Sequence, residues 1–424
     1  MPVSKPQSMT LRTYQVGFGD CFLLTFHYAK KDCHVLIDFG STGQPATAPD
    51  DLMLQVANDI KTTCGGKLDA VVATHRHKDH ISGFATSNGK GSGDIIASCE
   101  PTVVIQPWTE DPNAQPDATH ATRLSSSSKS FVSSLLSMHA VSESLLLEIQ
   151  RLRSGISRTA FNQLAFLGED NLTNKSAVEN LMKMGKRNFY VNAGSKSGLE
   201  TILPGVKTFV LGPPTVDQSQ AITKMRSEDP DEFWHLLGLS GQLLKRGNGQ
   251  LFPKAETYAA PPAQTRWLIH RMQSLRGDQM LELVRALDTV MNNTSVILLF
   301  QAGSKKFLFP GDAQLENWAF ALSQENIRQL LADVHLYKVG HHGSLNATPK
   351  SLWGLFANRS ATASAKRLQS VVSTMAGKHG TPSKGTEVPR SKLVDELKKM
   401  SNYFTTQDLK GKKNIVKEFT FDLT

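Results

Sequence analysis

The chain has 424 residues, of which 39% are hydrophobic and 20% are charged. This is the composition of a folded globular protein and excludes a disordered or fibrous one. The sequence contains no uninterrupted run of about eighteen apolar residues, which is the pattern that predicts a membrane-spanning helix. The formal net charge of +9 favours an anionic partner such as nucleic acid.

The N-terminus and the cysteines indicate the compartment. Residues 1–8 lack the apolar core of a signal peptide. The cysteines show no Cys-x-x-Cys spacing and are too few for a disulfide framework in a chain of this length. We therefore expect a cytoplasmic protein with reduced thiols and no membrane association. The four cysteines are Cys21, Cys33, Cys64 and Cys99.

The first part of the chain predicts four strands and one helix. Alternating or continuous apolar runs indicate the strands, and apolar residues at helical spacing indicate the helix. A glycine-rich turn, Gly17 to Asp20, joins the first two strands. This order of elements is typical of an α/β layer. The strands are predicted at 11–16, 21–26, 33–39 and 68–73, and the helix at 50–62.

A dense polar loop follows the fourth strand. Residues 75–80 read His-Arg-His-Lys-Asp-His, so three imidazoles and one carboxylate stand within six residues. Zinc and similar cations bind imidazole nitrogen and carboxylate oxygen. A loop at the end of a strand can direct alternate side chains to one ion and the next pair to a second. The sequence therefore predicts a metal site here.

The middle of the chain has a different character. Residues 109–200 combine a serine-rich polar segment with two amphipathic helical patterns, and residues 216–292 are mainly helical in pattern. Residues 207–211 form a short strand pattern between these two stretches. We predict a single domain over residues 1–424 in which 109–200 and 216–292 are helical insertions.

Strand patterns return after residue 292. Asp312 and the pair His341–His342 each stand where an apolar strand gives way to a glycine-containing loop, as Asp38 does earlier in the chain. Because residues at strand ends meet at one edge of a sheet, we expect these side chains to converge with residues 75–80 on one cleft. The strands are predicted at 295–300, 306–309, 334–339, 370–373, 402–404 and 414–423, with helices at 315–331 and 388–400.

The motif His75-x-His77-x-Asp79-His80 resembles the signature of the metallo-β-lactamase superfamily. The resemblance covers residues 9–107, 205–214 and 292–423 and leaves the insertions outside. It implies an α/β fold, an αββα sandwich of two mixed sheets whose halves contribute to one dinuclear cleft. Four further segments resemble the hydrolase domain of the bacterial DNA-uptake competence proteins, namely Val16–Asp20, Leu36–Gly40, Phe309–Ala313 and Lys338–Ser344.

The resemblance also implies a set of metal ligands. Two divalent ions, zinc in the first place and manganese as the alternative, would activate a hydroxide and stabilise the developing charge on a substrate oxygen. The implied ligands are His75 and His77 for the first ion, Asp79, His80 and His341 for the second, and Asp312 as the bridge between them.

Catalytic and substrate-binding roles are implied in the same way. Asp79 or Asp312 would orient the hydroxide, and His342 would contact a phosphate or leaving group. Asp38 would support the ligand loop by accepting hydrogen bonds from it. The possible substrate contacts are Lys338, Ser344 and His379. For Lys338, the alternative is a solvated side chain at the protein surface.

One departure from the family pattern concerns the first ion. The superfamily commonly supplies a third histidine at the end of a middle strand, and the corresponding residues 210–214 contain none. The third ligand therefore stays open at this point. Water is one alternative, and a histidine of the insertions is another; these histidines are His120, His139, His235 and His270.

The expected activity is hydrolysis of a phosphodiester, so the protein would be a nuclease or phosphodiesterase that acts on nucleic acid or nucleotides. Residues 378–417 contain ten Lys or Arg against four acidic residues, which suits a phosphate backbone. A thioester, lactone or lactam hydrolase is one alternative. Another is an interaction subunit whose helical insertions bind protein partners and whose metal site is structural.

Overall fold

The computed structural model describes residues 5–112, 175–219, 221, 290–380, 382–384, 387–411 and 414–424. Nearly all of them belong to one compact unit, made of Met1–Pro112, Thr173–Ile222 and Met291–Thr424. The insertions predicted at 109–200 and 216–292 fall mostly outside the described residues. No helix within the described ranges is both long and apolar enough to cross a membrane.

The first half of this unit begins with the predicted order of three strands, one helix and a fourth strand, and continues with further elements. Its elements are β1 (Ser8–Tyr14), β2 (Cys21–His27), β3 (Asp32–Phe39), α1 (Leu52–Thr63), β4 (Ala70–Val72), α2 (Lys78–Ile81), α3 (Ser92–Ala97), β5 (Val103–Pro107), α4 (Lys175–Lys183) and β6 (Arg187–Val191).

The second half repeats the alternation of strands and helices. Its elements are β7 (Val206–Gly212), β8 (Ile297–Ala302), β9 (Lys305–Phe309), α5 (Leu315–Ser323), α6 (Glu325–Leu331), β10 (Leu336–Lys338), α7 (Lys350–Leu355), β11 (Gln369–Val372), α8 (Ser391–Met400), β12 (Asn402–Thr405) and β13 (Val416–Asp422).

The strands form two mixed sheets, as expected for the α/β class. The first has the order β13-β1-β2-β3-β4-β5-β6 and the second the order β12-β11-β10-β9-β8-β7. Strands β3 to β6 run parallel in the first sheet, and β9 to β12 run parallel in the second. Each sheet therefore presents several parallel carboxyl ends at one edge.

Alternate residues of the central strands enter different cores, because successive side chains of a strand point to opposite faces. In β3, Val35 and Ile37 pack in a core shared by both sheets, whereas Leu36 packs against the helices of the first half. In β9, Phe307 enters the shared core and Leu308 packs with the helices of the second half. The layers therefore run helix, sheet, sheet, helix.

Strand β6 lies inside the range predicted as the first helical insertion. It pairs with β5 in parallel register, with Phe189 opposite Ile105, and Val191 is buried in the core between the sheets. The last part of the range 109–200 therefore belongs to the sheet system. Most of β6 is exposed or half-buried, so its sequence lacks the apolar run that would have predicted a strand.

The two sheets approach each other closely at the carboxyl ends of β4 and β9. The backbone N–H of Val296 donates to the carbonyl of Thr74 at 2.9 Å. A Cβ on Gly311, whose φ is +55°, would lie 2.7 Å from the Cβ of Thr74. Only glycine combines this left-handed backbone with so short a separation. The strand ends that carry the polar residues therefore meet at one place.

Candidate metal centre

Asp38 fixes the start of the histidine loop. Its Oδ1 accepts a hydrogen bond from the Thr74 N–H at 2.7 Å, and its Oδ2 accepts one from Thr74 Oγ1 at 2.7 Å. His80 Nδ1 lies 2.8 Å from the same Oδ2. Asp38 is fully buried and has a φ of 55°, which costs a non-glycine residue roughly 1–2 kcal/mol. A strained, buried carboxylate thus orients the loop.

A first group of possible ligands consists of His75, His77 and Asp79, whose ligand atoms lie within 4.8 Å of one another. His75 Nε2 is 3.0 Å from His77 Nδ1. Burial, reinforced by the nearby imidazoles of His80 and His77, holds the pKa of His75 well below its ordinary value. The His75 ring is therefore neutral near pH 7 and has a lone pair for a cation.

A second group consists of Asp79, His80, Asp312 and His342, all of them buried. His80 Nε2 lies 3.1 Å from Asp312 Oδ2. His342 Nε2 lies 2.8 Å from Asp79 Oδ2 and 3.5 Å from Asp312 Oδ2. Asp79 belongs to both groups, so the two groups form one continuous cluster.

Two imidazoles of the second group have their Nδ1 atoms engaged by fixed acceptors. His80 Nδ1 faces Asp38, and His342 Nδ1 lies 2.9 Å from the carbonyl oxygen of Ser373. If each Nδ1 carries the proton, each Nε2 is left with a lone pair that faces the carboxylates. His80 Nε2 is buried and makes no hydrogen bond within the described part of the chain. These donors fit a divalent cation bound by nitrogen and oxygen.

The charges of the cluster also suit a cation. Burial opposes protonation of His80 and His342, but the surrounding carboxylates, Asp312 foremost, outweigh it and raise the pKa of both rings. Burial likewise opposes ionisation of Asp79 and Asp312, but these imidazoles hold the pKa of both carboxyls below the ordinary value. The carboxylates therefore favour positive charge on these two rings, in the place where a cation would supply it.

Of the two adjacent histidines after β10, the one that joins a group of possible ligands is not the predicted ligand His341 but His342, for which a contact with substrate was predicted. His342 belongs to the second group, whereas His341, the predicted ligand, belongs to none of the three groups of possible ligands found among the described residues, the third being Asp20, Asp38 and His80. The half-buried His341 instead donates its backbone N–H to Asp312 Oδ1 at 3.0 Å. Both residues have left-handed φ values, 44° and 52°. This turn directs the second ring inward, and sequence spacing does not reveal such a turn.

Lys338 is a buried lysine and not a surface one. Because its side chain is enclosed by the protein, its position does not fit the predicted contact with substrate. Its side chain is 2% exposed, its Nζ donates to the carbonyl of Gly311 at 3.0 Å, and it forms an ion pair with the buried Asp20. Burial lowers the pKa of Lys338, but Asp20 and Asp312 outweigh it and raise the pKa. The ammonium is therefore a permanent charge inside the protein.

The other two predicted substrate contacts lie on loops after the strand ends. The ring of Phe18 stands between His342 and His379, with centroids 4.3 Å and 4.1 Å away. Burial, with a smaller contribution from His342, lowers the pKa of His379 to about 4. His379 is therefore neutral near pH 7. Ser344 is half-buried and donates its N–H to the carbonyl of His341 at 2.8 Å.

Three residues at the site had no predicted role. Asp20 lies at the end of the glycine-rich turn Gly17 to Asp20, a motif that the sequence displays but whose chemistry it does not indicate. Thr74 bonds Asp38 through both its backbone and its hydroxyl, and Ser373 accepts from His342 through its carbonyl. Backbone contacts of this kind leave no signal in residue type.

The first group contains no third histidine among the residues that the structure describes, and Asp79 completes it. The four histidines of the predicted insertions lie outside those residues. No family model matches the chain, and no curated protein matches it.

Proposed function

We propose that the protein is a metal-dependent hydrolase of the metallo-β-lactamase superfamily that cleaves phosphodiesters in nucleic acids or nucleotides. The observation that supports this most strongly is the pair of buried His/Asp groups that share Asp79. The two groups collect residues from both sheets at the carboxyl ends of parallel strands, and the layer order agrees with the αββα sandwich that the motif implies.

The residues present fit two divalent cations, with zinc or manganese as the candidates. His75, His77 and Asp79 would hold the first. The second would be held by Asp79, His80, Asp312 and His342. When bound, such a pair of ions supplies an activated water and stabilises the negative charge that develops on the substrate.

The chain itself supplies orientation. Asp38 and the Ser373 carbonyl hold the Nδ1 atoms of His80 and His342, so both rings present Nε2 to the same carboxylates. The strained φ of Asp38 and of His342 is retained because the surrounding contacts fix both residues. The geometry of the ligands is thus determined before any cation binds, which limits the reorganisation that binding requires.

Charge supports an anionic substrate. The net charge is +9, and the basic segment 378–417 includes the loop that carries His379 beside Phe18. Since His379 is neutral near pH 7, we assign attraction of a phosphate to lysines and arginines of this segment and to the bound cations. Phosphodiesters match these features better than neutral esters.

The test is a substrate panel assayed with zinc or manganese. It includes bis(4-nitrophenyl) phosphate, single-stranded DNA, duplex DNA, RNA and cyclic dinucleotides, with a thioester and a lactam for comparison. We expect cleavage of at least one phosphodiester, lost in His77→Ala and in Asp312→Ala but retained in Asp69→Asn. Asp69 is a suitable control because it accepts a backbone hydrogen bond from His34 at 2.8 Å. Cleavage of the thioester or lactam alone would reassign the substrate class.

A further inference from the structure

The ammonium group of Lys338 lies beside the candidate metal ligands, although lysine is not itself among them. Lys338 ends strand β10, next to the end of β9, where Gly311 and Asp312 follow. Its Nζ lies 3.4 Å from Asp312 Oδ1 and 3.0 Å from the Gly311 carbonyl oxygen. Asp20 forms an ion pair with it from the turn between β1 and β2. A buried charge with three acidic or carbonyl partners is a built feature of the site.

The two oxygens of Asp312 have different neighbours. Oδ1 faces Lys338 Nζ and accepts the backbone N–H of His341 at 3.0 Å. Oδ2 faces the Nε2 atoms of His80 at 3.1 Å and His342 at 3.5 Å. With Oδ1 engaged, Asp312 has only Oδ2 directed to the group of possible metal ligands.

We propose that Lys338 is a positioning residue, which together with the His341 N–H holds Asp312 Oδ1 and so directs Oδ2 toward the cation. Asp20 fixes the ammonium from the opposite sheet. This inference rests on the proposed metal-dependent function and deepens it by assigning the residues that set how Asp312 binds. The competing explanation is that Lys338 does no more than neutralise the buried carboxylate of Asp20.

A charge-matched double variant separates the two explanations. Lys338→Met combined with Asp20→Asn removes one positive and one negative charge, so the net charge of the site is unchanged. A change in metal affinity then reports on the arrangement of Asp312 and of the His80 and His342 rings, which lie 3.6 Å and 3.7 Å from Asp20, and not on overall attraction. Lys338→Met alone would leave the buried carboxylate of Asp20 without its positively charged partner, which destabilises the fold. The double variant leaves no unpaired charge at positions 20 and 338, and this favours its folding.

Lys306 supplies a matched control. It is a second buried lysine, 7% exposed, which forms an ion pair with Asp333 and donates to the Leu330 carbonyl at 2.9 Å. It lies near the amino end of β9, whereas Asp312 follows the carboxyl end. Lys306→Met therefore tests the general effect of losing a buried ammonium from this sheet.

The experiment is titration of metal-free protein with Co²⁺, followed by the visible absorption of the bound ion and by thermal unfolding. We expect the double variant to bind cobalt about 10–100-fold more weakly, the usual effect of removing a group that orients a ligand, and to show a changed visible spectrum. Lys306→Met should lower the unfolding temperature but leave cobalt affinity and spectrum as in the wild type.

Cobalt affinity and spectrum equal to the wild type in the double variant would overturn the inference and leave the proposed function intact. A wild-type protein that binds no cobalt would overturn both. A loss of affinity in Lys306→Met as large as that in the double variant would also overturn the inference, because the effect would then be one of general stability.

Discussion

Asp79 Oδ2 and His342 Nε2 lie 2.8 Å apart, although the two residues are separated by 263 positions in the chain. One follows β4 of the first sheet and the other follows β10 of the second. This contact joins the two halves of the candidate metal centre. It also brings the ring of His342 to Asp79, whereas the adjacent His341 contacts Asp312 through its backbone N–H.

Replacement of these neighbours separates their roles. His342→Ala removes an Nε2 atom from the second group, so we expect bound metal to fall by about one ion per chain. His341→Ala keeps the backbone N–H that Asp312 Oδ1 accepts and should retain most of the metal. Metal content after dialysis, measured by mass spectrometry, gives the comparison. A larger loss in His341→Ala than in His342→Ala would restore the ligand that the sequence predicted.

Removal of the charge on Asp38 should weaken metal binding without removing a ligand. In Asp38→Asn the amide cannot accept from Thr74 N–H, Thr74 Oγ1 and His80 together, so the loop and the His80 ring lose their orientation. We expect a decrease in metal affinity of roughly 10–100-fold, measured by competition with a chelating dye. Asp69→Asn is the control, since Asp69 bonds only backbone outside the centre among its described contacts. An equal decrease in both variants would argue against this role for Asp38.

Metal affinity should rise with pH. Carboxylates raise the pKa of His80 and His342 in the metal-free protein, and a cation must displace the protons from these rings. The affinity should therefore continue to rise above pH values of about 6.5, the ordinary pKa of imidazole. Calorimetric titrations in buffers of different ionisation enthalpy should show proton release. Binding that is independent of both pH and buffer would contradict the proposed ligands.

The same shifts set the stability of the metal-free protein. A raised pKa in the folded state means that folding favours the protonated ring, so this contribution is complete below about pH 6.5. It is lost as the pH rises through the raised pKa values of His80 and His342. We expect metal-free protein to become less stable across this range, and added metal to stabilise it most at the high-pH end. Urea unfolding at several pH values, with and without metal, measures both effects.

Gly311 offers a test of how closely the two sheets meet. Gly311→Ala would place a methyl 2.7 Å from Thr74 Cβ at a φ of +55°. Gly65→Ala has a similar φ of +59° but open space around it, so it measures backbone strain alone, about 1–2 kcal/mol. We expect the free energy of unfolding to fall further in Gly311→Ala, with loss of metal content. If Gly311→Ala and Gly65→Ala were equally destabilised and Gly311→Ala kept its metal, the ends of β4 and β9 would not be in such close contact.

Much of the fold is legible in the sequence because its strands are apolar runs with clear ends. The strand that leads to residues 75–80 and the strand that leads to Asp312 both carry runs of buried residues, and these placed the polar residues at strand ends. The parallel strand β6 was not predicted, since most of its side chains are not buried and its partner lies far away in the chain.

Features that depend on backbone conformation could not be predicted from the sequence. The left-handed turn at His341 and His342 decides which ring faces inward, and adjacent histidines look alike in a motif. The sequence offers a substrate contact or a surface position for Lys338, because its neighbours in the chain give no indication of Asp20, which comes from the other sheet. The sequence leaves open which residue joins His75 and His77, and the structure places Asp79 with them, in a group that could hold a metal ion.

The metal content of the purified protein decides whether this cluster is a dinuclear metal centre. The cluster of His75, His77, Asp79, His80, Asp312 and His342 predicts about two divalent ions per chain after reconstitution with zinc or manganese and dialysis. His77→Ala and Asp312→Ala should each lower this ratio, and Asp69→Asn should not. A ratio well below one ion per chain in the wild-type protein, with either metal, would show that the cluster is not a metal centre.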